Sequence, residues 1–216
     1  RFTVSATIAE ELFHRYGKNF EVVRNAPPLN FYKNNENNLQ PRFDKKTLIY
    51  VGNLNIGRGL ETAIDALPFL PGYKLEIIGD GVLMEPLKTL ATKLKVAERV
   101  IFYGHKNPDV IPEILQRATF GLHISENMGR SYELSLANKF FDYIHAGLPV
   151  IFTEFVEYKT INTEFNIGVM IEKTDVQQLV QNCYNAREVL NWEEEEKTLI
   201  NALNFSPQNA QNSTKG

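Results

Sequence analysis

Tyr50-Val51-Gly52-Asn53-Leu54-Asn55-Ile56-Gly57-Arg58-Gly59-Leu60-Glu61 decides the fold class of this 216-residue chain. The apolar run 47–51 reads as a strand, a loop with three glycines follows, and residues 60–67 carry helical spacing. A strand that feeds a glycine loop and then a helix directs backbone amides and the positive end of the helix dipole at one point, where an anion can sit. Arg58 stands where a guanidinium grips a diphosphate through two parallel hydrogen bonds. The same residues also fit a plain glycine-rich turn with a solvated arginine, and the local pattern leaves both readings open.

Outward from this stretch, short β-branched or apolar runs alternate with longer helical segments. The strands are 75–78, 100–103, 120–124, 150–153 and 169–171, and the helices 83–95, 110–116, 136–145 and 175–190. Runs apolar on both alternating positions are strands covered on both faces, so the alternation predicts an α/β domain, a parallel sheet flanked by helices. The front of the chain differs. Residues 2–4 read as a strand, Thr7 and Glu10 have capping-box spacing for a helix ending near Gly17, and a strand at 20–24 follows. Asn25-Ala26-Pro27-Pro28 and an Asn-rich stretch to Pro41 read as an interdomain linker, and 206–216 as a frayed tail. There is no internal repeat.

Two further segments carry candidate chemistry. Gly79-Asp80-Gly81 follows a strand and precedes a helix, and alone it favours a tight turn over a ligand loop. In Ser131–Val150 a helix is expected to begin near Leu136 and to end at Gly147. The amides of Ser135, Leu136 and Ala137 would then be free at the carboxyl edge of the sheet, with the positive charge of Lys139 beside them. Asp142 lies one turn further in, and is either an acceptor for two ribose hydroxyls or a surface acid between aromatic core residues. Phe140, Phe141 and Tyr143 read as packing.

Composition narrows the function. A net charge of −3 and a pI near 5.9 supply no basic field for nucleic acid. The single cysteine, Cys183, cannot pair within the chain, which fits a reducing cytoplasm. No apolar run approaches the roughly 20 residues that cross a bilayer, and the start lacks both a signal core and Met, so a longer parent chain is expected. His14, His105, His123 and His145 are scattered without ligand spacing, so no metal site is expected.

Taken in order, Gly52-Asn53-Leu54 through Arg58-Gly59-Leu60-Glu61, Ile77-Ile78-Gly79-Asp80-Gly81, residues 100–105, Asn138-Lys139-Phe140-Phe141-Asp142-Tyr143-Ile144 and Ala146-Gly147-Leu148-Pro149-Val150-Ile151 are co-linear with a known pattern. The chain resembles the carboxy-terminal domain of GT-B glycosyltransferases of the large family-4 retaining group, over roughly residues 46–203. Leu190-Asn191-Trp192-Glu193 is similar to the helix that closes such chains. The resemblance implies a Rossmann-like donor-binding domain at 42–205, preceded at 1–41 by the end of an amino-terminal domain and its hinge, with a tail at 206–216.

It further implies a donor site formed by Gly52, Asn53, Arg58, Gly59, Gly104, His105, Ser135, Leu136, Ala137, Lys139 and Asp142. Arg58 matches the second of two charged diphosphate-binding residues, usually lysine, and Asn53 stands where the first is usually arginine. Asp142 matches the ribose-binding second acid of a Glu-x7-Glu element, whose first acid is replaced by Leu134, with Glu133 one residue off register. Tyr103-Gly104-His105 resembles the loop that meets the base. The implied activity is transfer of a sugar from a nucleoside diphosphate sugar to a hydroxyl acceptor, with Arg58 stabilising the leaving group and no cofactor or metal. The acceptor site would belong to the amino-terminal domain, so this stretch alone is expected to bind donor and turn over nothing. The implied place is the cytoplasm, peripheral on the inner membrane face in polysaccharide or glycoconjugate synthesis. Two competing classes are a noncatalytic interaction domain on the same fold and an NAD-dependent Rossmann enzyme; a sugar-nucleotide epimerase lacks its histidine and acid set.

Overall fold

The computed structural model describes residues 1–32, 45–168 and 190–204. The strand expected at 169–171, the helix at 175–190 except its last residue, the Asn-rich part of the linker and the tail lie outside them. The main sheet has five parallel strands: β3 (Thr47–Val51), β4 (Lys74–Ile78), β5 (Val100–Gly104), β6 (Phe120–His123) and β7 (Val150–Phe152). Their spatial order is β5-β4-β3-β6-β7. The helices between them are α2 (Leu60–Ala66), α3 (Met84–Lys93), α4 (Ile111–Leu115), α5 (Arg130–Glu133) and α6 (Asn138–His145). Helix α7 (Val156–Phe165) follows β7, and α8 (Trp192–Asn204) is the last element described.

Two cores sandwich the sheet, as the doubly apolar strands require. On one face Leu48, Tyr50, Leu75, Ile77 and Leu122 pack with Leu60, Ile64 and Leu87 of α2 and α3. On the other, Ile49, Ile78 and Val150 pack with Phe140, Phe141 and Tyr143 of α6 and Tyr158 and Ile161 of α7. The three aromatic residues of α6 are thus core, as their spacing suggested. The strand order reverses direction at the β3–β6 junction, and in open parallel sheets that reversal opens a crevice at the carboxyl ends of the two strands.

Chain 1–32 is packed on this domain. A two-stranded parallel sheet, β1 (Phe2–Thr3) with β2 (Glu21–Val22), is bridged by α1 (Ala6–Tyr16). The helix cap is Ser5, whose side chain accepts from the Ile8 amide, and not Thr7 as the sequence spacing suggested. The Thr7 amide donates instead to Glu157 of α7 at 2.6 Å, so a buried acid from a remote helix serves the first turn. Gly17 ends α1 in the left-handed region, as read from sequence. Residues 24–32 are then strapped down by α8. Glu195 takes both the Arg24 amide and its guanidinium at 3.0 Å, Glu193 accepts from the Leu29 amide, and the Trp192 amide donates to Pro27.

Helix α7 is absent from the sequence reading. Its buried stripe, Tyr158 and Ile161 with Phe165 partly covered, has the i, i+3, i+7 spacing of an amphipathic helix. The β-branched and Asn-containing remainder, Val156, Thr160, Asn162 and Thr163, has weak helix propensity and masked the pattern.

Candidate functional site

The floor of the crevice is main chain. Three turns leave the ends of β3, β4 and β5 and bond to one another: the Gly52 amide donates to Ile78, the Gly79 amide to Gly104, and the Leu54 amide to Asp80, all at 2.9 Å. The approach is close enough to demand glycine. A Cβ on Gly79 would lie 1.9 Å from the Gly52 carbonyl oxygen, and its φ of +136° disfavours any side chain. Gly79→Ala is expected to destabilise the fold by about 2 kcal/mol, measured by urea unfolding, and an unchanged midpoint would contradict this geometry. The loop after β6 closes the other side. Its Glu126 amide donates to Gly57, and a Cβ on Gly59 would strike the Ile124 carbonyl at 1.9 Å.

Onto this floor the fold brings two cations. The ammonium of Lys139, in the first turn of α6, lies 3.8 Å above the centroid of Tyr50 on β3 and 3.7 Å from where a Gly52 Cβ would be. Arg58 lies 5.3 Å from the ring of Tyr132, which precedes α6. The glycine loop and the start of α6 therefore share one crevice. Burial first, and then the neighbouring Arg58, lower the Lys139 amine to about 7. Burial pushes the Tyr50 phenol up to about 12, opposed by Arg58, so Tyr50 remains neutral and donates to the Asn53 carbonyl at 2.9 Å. Asn53 itself is exposed at the mouth, as is His105.

Beneath the cations sits a residue that the sequence reading weighed only as a metal ligand. His123 ends β6 with 1% exposure, its ring 4.5 Å from Tyr158, and neither ring nitrogen has a hydrogen-bond partner among the described residues. Desolvation, then Lys139 and Arg58, hold its pKa near about 3. It is a neutral imidazole at working pH. No sequence signal distinguishes a single histidine in an apolar strand from a satisfied core residue.

The start of α6 differs from its expected form. The helix opens at Asn138, because Ala137 is extended, and two of the three amides expected to be free are engaged. The Ser135 amide donates to Tyr132, and the Ala137 amide to the Tyr158 hydroxyl at 2.8 Å. Among the described residues no acceptor takes the amides of Leu136, Asn138 or Lys139, and the helix starts two residues later than the sequence reading placed it.

Asp142 is half-buried and not a surface acid. It accepts from the Tyr32 hydroxyl at 3.1 Å, and desolvation raises it to about 6 while that hydrogen bond pulls it down. Glu133 does not reach the crevice: Asn127 and Arg130 hold its carboxylate at 2.7 and 3.2 Å, and Arg130 also reaches Glu11 of α1. Leu134 faces the same seam, its carbonyl accepting from Ser5. Among the described residues no group of three or more His, Cys, Asp or Glu side chains converges as a metal site would require, and no helix is long and apolar enough to cross a membrane.

The pattern of these parts has known counterparts. A family model described as glycosyl transferases group 1 matches residues 32–204. An uncharacterized glycosyltransferase of Methanocaldococcus jannaschii is 32% identical over 78 residues, covering 35% of this chain and 20% of that protein. A glycogen synthase of Mycobacterium tuberculosis is 36% identical over 83 residues, covering 37% and 20%. Among solved structures, Anabaena HepE in complex with UDP has a TM-score of 0.69 at 17% identity, covering 93% of this chain and 62% of that one. Sucrose-phosphate synthase from Thermosynechococcus elongatus scores 0.68 at 16% identity, covering 96% and 58%. At such identities these structures establish the shared GT-B type of α/β fold alone. The chain spans less than two thirds of each solved relative, and the matched segments a fifth of each curated one. With the family model matched across most of its length, this chain belongs to the group 1 glycosyltransferases.

Proposed function

We propose that the crevice binds the nucleoside diphosphate of a sugar donor and that the whole protein transfers the sugar to a hydroxyl acceptor with retention at the anomeric carbon. One observation carries this reading. Two cations from sequence-distant segments, Arg58 and Lys139, flank a floor of glycine main chain at the point where the sheet reverses. A diphosphate needs that combination: charge from side chains, close approach from glycine, and free amides at a helix start.

Departure of the diphosphate is the electrostatically costly event of the reaction. Arg58 and Lys139 would take up the charge that develops on it, with the amides of Leu136, Asn138 and Lys139. The engaged amides of Ser135 and Ala137 serve only by positioning. Asp142 would accept from ribose hydroxyls, and the Gly104-His105 turn, where His105 is exposed, would border the base. In this reading the cations need no metal ion beside them, and the acceptor is held by an amino-terminal domain that meets residues 1–32. UDP is the first probe because HepE was solved with it.

Titration calorimetry with UDP and GDP tests the proposal. Arg58 is partly exposed, so Arg58→Ala should weaken the tighter nucleotide about tenfold, the loss of one charge-assisted contact near 1.5 kcal/mol. Equal silence of wild type and variant at millimolar nucleotide would rule out a donor site here and leave the interaction-domain reading.

A further inference from the structure

The contact between Tyr32 and Asp142 joins parts of the chain 110 positions apart. Tyr32 is not in the domain's sheet or its helices. It closes the crossing segment 24–32 and has 1% exposure, its ring packed 5.4 Å from Phe31 and 5.7 Å from His145. Its hydroxyl donates to Oδ1 of Asp142 at 3.1 Å, and among the described residues no other side chain donates to that carboxylate.

A carboxylate has about four lone-pair directions. Tyr32 takes one, from the buried side. Asp142 keeps partial exposure while Tyr32 has almost none, so the phenol approaches from the buried side and Asp142 retains an accessible part. A short acid on a helix ordinarily samples several rotamers, and one fixed oxygen removes most of that freedom before any ligand arrives.

Resting on the donor-site reading, we propose that Tyr32 is a positioning residue for ribose recognition: its hydroxyl fixes Asp142 with one carboxylate edge presented to the ribose diol. The groups facing the pair are Tyr143 and His145 on α6. The hydrogen bond also favours the ionised form, which burial opposes. Tyr32 therefore keeps Asp142 an acceptor at neutral pH as well as aiming it. The strap that holds Tyr32 is in turn tied to α8 through Glu193 and Glu195, so ribose recognition depends on the helix that closes the domain.

The test compares UDP with 2′,3′-dideoxyuridine diphosphate, and GDP with its dideoxy form, on wild type and Tyr32→Phe by calorimetry from pH 5 to 8. Phenylalanine keeps the packing and removes only the hydroxyl. Wild type should prefer the ribose form about tenfold, the value of one hydrogen bond to a charged group at the low end of its range. In Tyr32→Phe the preference should fall below about 2-fold while dideoxy affinity is unchanged, and the acid limb of ribose-form binding should move up from about 6. If wild type discriminates and Tyr32→Phe discriminates equally with the same acid limb, the positioning role is wrong and the donor site stands. Tighter ribose binding in Tyr32→Phe would mean the phenol competes with the ligand, which also overturns it. If wild type does not distinguish the two forms, the ribose role of Asp142 fails and the proposal with it.

Discussion

Lys139→Met is expected to weaken UDP binding about 100-fold and to abolish its proton uptake. Methionine keeps the stem that lies across Tyr50 and deletes only the charge. In a desolvated crevice a charge-assisted contact to phosphate is worth up to about 3 kcal/mol, near the upper end for such bonds. The pH signature is specific. With its pKa lowered to about 7 by burial and by Arg58, the free amine is largely neutral at pH 8. A bound diphosphate raises it again, so each binding event at pH 8 should take up close to one proton, and affinity should rise as pH falls from 8 toward 7. Of the groups beside this amine, neither Tyr50, near 12, nor His123, near 3, titrates in that window. Calorimetry at pH 8 in two buffers of different ionisation enthalpy reads the uptake. Identical heats for wild type and Lys139→Met would remove Lys139 from the site. The variant should also melt higher, since a desolvated amine is lost, and this separates lost binding from lost folding.

His123→Leu should stabilise the fold, and by more as the solution is acidified. At pH 7.5 two unpartnered buried ring nitrogens are removed, a gain of about 1–3 kcal/mol. Below pH 6.5 the unfolded wild-type chain protonates this histidine while the folded chain, held near 3, does not. The cost that His123 imposes on the fold is constant above 6.5 and grows as pH falls toward 3, at about 1.4 kcal/mol per pH unit. Asp142 acts in the opposite sense: its folded pKa, raised to about 6, makes the folded state bind a proton first, so wild type alone shows a shallow slope. The difference between the two proteins cancels Asp142 and isolates His123. It should grow by about 2 kcal/mol between pH 6.5 and 4.5 in urea titrations. Parallel stability curves would show that the imidazole is solvated after all.

Local chemistry accounts for what the sequence disclosed. Glycine turns after apolar runs marked the ends of β3 and β4, and the spacing of Gly52, Arg58 and Lys139 located both cations. These features are short-range: a positive φ, a strand end, a helix start. Much of what the sequence left unread is long-range. Ala137 lost its free amide to Tyr158, which comes from a helix whose Thr-rich sequence hid its periodicity. Glu133 is claimed by Arg130 and, through it, by α1. Asp142 gained a partner across 110 residues, and His123 owes its character to burial that no neighbour in sequence announces.

The peptide-lined floor has an evolutionary corollary. Groups contributed by the backbone cannot be swapped by point mutation, and any residue larger than glycine at position 59 or 79 collides with a carbonyl. In the proposed donor site the main-chain share of phosphate binding would therefore be hard to lose by drift and equally hard to redirect, whereas the share of Arg58 and Lys139 would go with one substitution each. Preference for one donor over another would have to be rewritten at the margins, where Asn53 and His105 stand in solvent and tolerate exchange.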